Sequence, residues 1–104
     1  MKTPSRFDPY VIETLLPDLV GHDRQPSAFL VYLYLADRVT RQRVRGCSVS
    51  LGTLAAETGL SKSAVQRGVR ALVRRRLLRV EKASPTAVPV YTPLRPWARR
   101  EKAV

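Results

Sequence analysis

The sequence predicts a small, mainly α-helical fold with a β-ribbon attached: an α+β domain of three core helices and a two- or three-stranded antiparallel sheet. Three observations carry this expectation. Apolar residues recur at helical spacing in three segments between residues 27 and 76, and the period falls to two after Leu77. Gly59 sits in the short link between the last two helical segments, and the serines Ser50 and Ser61 stand just before each of those segments. The chain has 104 residues, room for one modest core and short extensions.

Residues 1–26 are punctuated by Pro4, Pro9, Pro17 and Pro26. Tyr10 to Leu16 suits a short helix, with Tyr10, Val11, Ile12, Leu15 and Leu16 as its apolar contacts. Pro17, Gly21 and Pro26 are expected to break up the remainder of this stretch. The segment reads as an arm that packs on something else. A first helix is expected from Ser27, its N-cap, to about Arg41. Its stretch from Ala28 to Ala36 is apolar on every side, which requires burial on more than one face. A domain of this size cannot surround it, so the arm or a second copy of the chain must cover the remaining face. Tyr32 and Tyr34 fall on opposite sides, one for the core and one for an interface.

Arg41 to Gly46 is a basic connector, and Cys47-Ser48-Val49 suits one short strand. Ser50 caps a second helix from Leu51 to about Thr58, with Leu54 and Ala55 facing inward. Gly59 supplies the positive φ of a tight turn, and Leu60 anchors that turn. Ser61 caps a third helix to about Arg75 or Arg76, with Val65, Val69, Leu72 and Val73 as its apolar stripe. Gly68 inside this helix costs about 1 kcal/mol relative to Ala, which close helix packing explains. Two strands come next, at 78–82 and 88–92, joined through Ser84-Pro85. Pro89 restricts the second to an edge or a bulge. The expected division is an arm at 1–26, a domain at 27–94 and a basic tail at 95–104.

Charge decides the class of partner. The chain carries 19 Lys and Arg against 8 Asp and Glu, a net of +11. Residues 1–37 are mildly acidic, and the excess of positive charge falls entirely after Asp37. Between Arg38 and Val80 the only acid is Glu57, whereas an ordinary solvated surface mixes signs. A polyanion partner accounts for this. One His and one Cys leave almost no material for a metal site or a Cys–His nucleophile, so no enzyme, cofactor or metal is expected. His22 reads as a loop residue, Cys47 as a buried strand residue and Trp97 as the cover of a core edge. A lone cysteine, no signal-peptide pattern and no apolar run longer than nine residues lead to the expectation of a cytoplasmic, nucleoid-associated protein with no membrane contact.

The stretch Leu51-Gly-Thr-Leu-Ala55-Ala-Glu-Thr-Gly59-Leu-Ser-Lys-Ser-Ala-Val65 resembles a bacterial helix-turn-helix core. It has a small residue four before the turn glycine and an aliphatic residue six after it. Ser61 to Leu78 resembles the recognition helix and the lead into the wing of winged helix-turn-helix transcription regulators. It is also similar to the DNA-binding domains of plasmid and phage replication initiators. The resemblance covers residues 27–92 and implies a winged helix-turn-helix fold that binds duplex DNA, with the third helix in the major groove and the 78–92 hairpin as wing.

The outward face of that helix is Lys62, Ser63, Gln66, Arg67, Arg70 and Arg74. Residues near its N-terminal end would enter the groove deepest, so Ser63, Gln66 and Arg67 are the candidates for base edges. Ser61, Lys62, Arg70 and Arg74, with Arg79 and Lys82 on the wing, are the candidates for phosphate. Arg41, Arg43 and Arg45 reach toward flanking phosphate, and Arg95, Arg99, Arg100 and Lys102 form a basic tail that adds non-specific affinity. The leading function is sequence-specific DNA binding by a transcription regulator, as a homodimer formed through the arm and first helix. The alternatives are the DNA-binding module of a replication or partition factor, and an RNA-, ribosome- or protein-binding winged helix. The aromatics cluster away from the arginines, which favours duplex DNA over RNA.

Overall fold

Pro26 has its φ already set for the first residue of a helix and has no N–H to satisfy there, and helix α1 (Pro26–Gln42) begins on it. The N-cap is therefore Gln25, not the expected Ser27, and no side chain caps it. The computed structural model describes residues 4–98. After α1 come β1 (Cys47–Ser48), α2 (Leu51–Thr58), α3 (Lys62–Arg74), β2 (Leu78–Glu81), β3 (Val90–Pro93) and a 3-10 turn, Pro96–Ala98. The strands form one antiparallel sheet in the order β1-β3-β2. Three helices with a small sheet make a winged helix-turn-helix.

The core is apolar throughout. Val31, Tyr32 and Leu35 of α1 pack with Leu54, Val65 and Leu72, closed on one side by Cys47, Leu78 and Tyr91 of the sheet. Tyr32 buries its ring and still satisfies its hydroxyl, which donates to the Leu94 carbonyl at 2.8 Å. Burial pushes that phenol's pKa well above its ordinary value. Tyr34, on the opposite side of α1, stays half-buried within the chain. Its hydroxyl accepts from Arg38 at 2.7 Å and lies 3.4 Å from Glu57 on α2.

The arm covers α1 within the same chain. It carries two π-helical pieces, Val11–Leu15 and Pro17–His22, whose Val11, Leu15 and Leu19 are buried in the core. Pro17 does not break the arm, contrary to expectation. In the wide i→i+5 register its missing N–H would have served Ile12, which lies half-exposed at the surface. Ile12 is accordingly no core contact. The apolar surround of α1 thus finds part of its cover in the arm, beside α3 and the sheet.

A clamp joins the arm to the far end of the chain. Asp8 accepts from the Trp97 indole at 2.9 Å and from Arg95 at 2.8 Å, while Tyr10 stacks on Trp97 with ring centroids 4.4 Å apart. These hydrogen bonds, Trp97 first and Arg95 next, hold the Asp8 carboxyl below its ordinary pKa. Arg95 is therefore an ion-pair partner of the arm. The other expected tail cations, Arg99, Arg100 and Lys102, lie outside the described residues.

Two apolar assignments change. On α3 the buried positions are Val65, Gly68, Ala71 and Leu72, whereas Val73 is 46% exposed. Close approach at Gly68 rotates the helix: a Cβ there would sit 3.0 Å from the Ser27 carbonyl oxygen and 3.1 Å from the Ala28 nitrogen. In the sheet, β3 is the central strand and not an edge. Pro89 lies just before it and only accepts, its carbonyl taking the Val49 N–H at 3.3 Å.

Two variants test this packing. Gly68→Ala gains about 1 kcal/mol of helix propensity, but overpacking against backbone that cannot rotate away costs about 1–3 kcal/mol. A lower urea midpoint is expected, and an unchanged one would show that the helices simply move apart. Asp8→Asn tests the clamp. A carboxylate with a lowered folded-state pKa stabilises at neutral pH, and that contribution is lost as pH falls through the folded-state value. The variant should melt lower than the parent near pH 7, with the gap closing in acid.

Candidate nucleic-acid interface

The α2–α3 pair is set by caps and one turn. The Ser50 hydroxyl oxygen accepts the Thr53 N–H, and the Ser61 hydroxyl oxygen accepts the Ala64 N–H, each at 3.1 Å. Between them Gly59 takes φ 78°, and both its N–H and that of Leu60 bond to the Ala55 carbonyl, at 2.9 and 3.2 Å. An L side chain at Gly59 would strain this reversal. α3 therefore leaves the turn with Val65, Gly68 and Leu72 pinned to the core.

The opposite face of α3 collects the candidates. Ser63, Gln66, Arg67, Arg70 and Arg74 are all exposed along it. Lys62 is exposed on the flank, its side chain passing close to Gly52 of α2. Ser61 has its oxygen committed to the cap, and its hydroxyl pairs with that of Ser63 at 3.2 Å. The two serines form one polar corner at the helix start.

Ion pairing separates the cations. Arg75 is held by two arm carboxylates, Asp18 at 3.1 Å and Asp23 at 3.2 Å. Arg41 pairs with Asp37 at 3.0 Å, and Arg95 with Asp8. Among the described residues, Lys62, Arg67, Arg70 and Arg74 have no carboxylate within ion-pair distance. Among the described residues, the ion-paired carboxylates sit on cations outside the α3 face and leave that face charged, as they also leave Arg24, Arg43, Arg45 and Arg76. Sequence reasoning missed this sorting. Its signal was the acidic arm itself, whose carboxylates needed partners somewhere in a basic chain.

The wing candidates are less concentrated. Arg79 lies 3.6 Å from Glu81 on the outer face of the sheet, and Lys82 reaches the Pro85 carbonyl at 3.5 Å across the loop. The tip, Ser84 to Thr86, is exposed and uncharged. Arg79 shares a shallow basin of about 440 Å³ with Arg45 and Arg95, away from the tip. Among the described residues, no cluster of His, Cys, Asp or Glu could hold a metal ion, and no helix is long and apolar enough to cross a membrane.

The sequence profile of the helix-turn-helix domain family matches residues 25–78, just over half of the chain. The chain belongs to that family. The match begins at the N-cap of α1 and ends at the first residue of β2, so the helix-turn-helix unit holds all three helices and the start of the wing. No curated protein and no solved structure matches the chain. Membership of a helix-turn-helix family implies DNA as the partner.

The cap geometry separates the two serines. Ser61→Ala removes the acceptor for the Ala64 N–H and should cost about 1 kcal/mol of folding stability. Ser63→Ala, exposed and outside the cap, should stay within about 0.5 kcal/mol of the parent. Urea denaturation of the two variants gives both values.

Proposed function

We propose that this protein is a sequence-specific duplex-DNA-binding transcription regulator that sets α3 in the major groove. The observation that carries the reading is the exposed face of α3, with four cations free of carboxylate partners beside Ser63 and Gln66. Gln66 has the donor–acceptor pair that matches adenine, and Arg67 the fork that matches guanine. Ser63 reaches base edges beside them. Lys62, Arg70 and Arg74 hold phosphate, joined by the Ser61 hydroxyl and by Arg79 and Lys82 on the wing. In this reading residues 27–94 are the binding domain, 1–26 its supporting arm and 95–104 an accessory tail, and the protein works at the nucleoid, in the cytoplasm.

Selection from genomic fragments at about 150 mM salt, where non-specific binding is weak, tests the reading. One enriched motif is expected. Sites upstream of genes support regulation, while a repeated array at an origin would move the protein to the replication class. With about six to eight phosphates neutralised, log affinity should fall against log salt with a slope of roughly −5 to −7. A slope near zero, or equal affinity for every duplex, would overturn the reading. Arg67→Ala should cost about 1–3 kcal/mol on the selected site and relax one position, whereas Arg74→Ala should weaken all duplexes alike and make the slope shallower by about 1.

The homodimer is proposed on the apolar surface that the arm and α1 leave open: Ile12 at 50%, Leu30 at 41% and Val20 at 37% exposure. A second copy is the occupant, as for a protein reading a two-fold site. Removing the arm cannot test this, since Val11, Leu15 and Leu19 belong to the core. Ile12→Glu with Leu30→Glu should turn a sedimenting dimer into a folded monomer. A parent that already sediments as a monomer on its selected site would refute it.

A further inference from the structure

β2 is an edge strand, and its register leaves a row of main-chain groups facing away from the sheet. The Leu77 carbonyl accepts the Leu94 N–H at 2.8 Å, so position 77 points toward β3. By strand alternation Arg79 and Glu81 do the same, opposite Thr92 and Val90. Leu78 and Val80 then turn their N–H and C=O groups outward, and no main-chain hydrogen bond from beyond the sheet reaches them among the described residues. Beside this edge lies a concavity of about 670 Å³. Val73, Leu78, Val80, Leu94 and Pro96 give it an apolar floor, and Arg76, Arg79 and Arg95 stand at its rim; Arg79 is paired with Glu81 and Arg95 with Asp8, while Arg76 has no carboxylate within ion-pair distance among the described residues. The exposure of Val73, unexpected for the α3 stripe, belongs to this groove.

We propose that the groove takes an extended, acidic segment of a partner protein, which adds to β2 as a fourth strand. Such a segment supplies N–H and C=O groups for Leu78 and Val80. Its alternate side chains divide by face: apolar ones cover Val73, and Asp or Glu meets Arg76. Charge argues against a second copy: an antiparallel pairing that bonds Leu78 to Val80 of the other chain would set Arg79 against Arg79 and Arg76 against Lys82. A DNA backbone would satisfy the arginines but has no donors for the Leu78 and Val80 carbonyls and nothing to cover Val73.

The experiment uses the full chain and two labelled eight-residue peptides, one alternating Glu and Val and the other alternating Lys and Val. Fluorescence anisotropy reads binding, and hydrogen exchange reads the amides of Leu78 and Val80. The acidic peptide should bind at least tenfold tighter than the basic one and slow exchange at both amides at least tenfold. Val80→Pro removes one outward N–H without touching the β3 ladder and should abolish the binding. Arg76→Glu should weaken it at least tenfold, and serves alone if the proline variant fails to fold. Equal binding of the two peptides, unchanged exchange, or indifference to Arg76→Glu would overturn the proposal. So would displacement of the peptide by a non-specific 20-base-pair duplex, which would give the groove to DNA. Amide protection that rises with protein concentration alone would give it to a second copy.

Discussion

The approach of α3 to the start of α1 at Gly68 governs the rest of the structure. Only a residue without a Cβ lets the α3 backbone lie against Ser27 and Ala28 at this distance. That contact selects which side of α3 is buried. With Val65, Gly68 and Leu72 inward, the basic positions of the same helix must face outward, and Val73 must turn to the flank beside β2. Packing and charge display are thus one decision, made at one position.

The arm has two tasks in this arrangement. It completes a core that three short helices and a small sheet could not close, since α1 is apolar around most of its circumference. It also brings carboxylates to particular arginines, Asp18 and Asp23 to Arg75 and Asp8 to Arg95. Exposed pairs of this kind add little to stability. Their larger effect is electrostatic: the net positive charge of the chain is concentrated on the residues left unpaired.

Most of the fold was legible in the sequence because its signals are local. Ser50 and Ser61 cap their helices, Gly59 takes positive φ, and the period of two after Leu77 gives the ribbon. The misreadings all involve a choice that local pattern leaves open. Ser27 is a good cap residue, yet Pro26 is the better first helical residue, and it moved the start two residues earlier. Val73 fits an apolar stripe with Val65, Val69 and Leu72, but Gly68 rotates that stripe toward Ala71. Pro89 suggested an edge strand, when it only precedes the central one. At the candidate interface the residues on α3 could be placed from their spacing. The pairing of Arg75 and Arg95 could not, because each partner lies more than fifty residues away in the chain.

The Asp8–Trp97 bond spans 89 positions. Contacts this distant in sequence are closed at the highest entropic cost and contribute little while a chain is still finding its topology. The helices and ribbon, whose contacts are nearer in sequence, can assemble without it. During synthesis residue 8 emerges long before residue 97, so this latch on the arm can close only after the far end is made. The segment that is translated early is the one whose position is secured late.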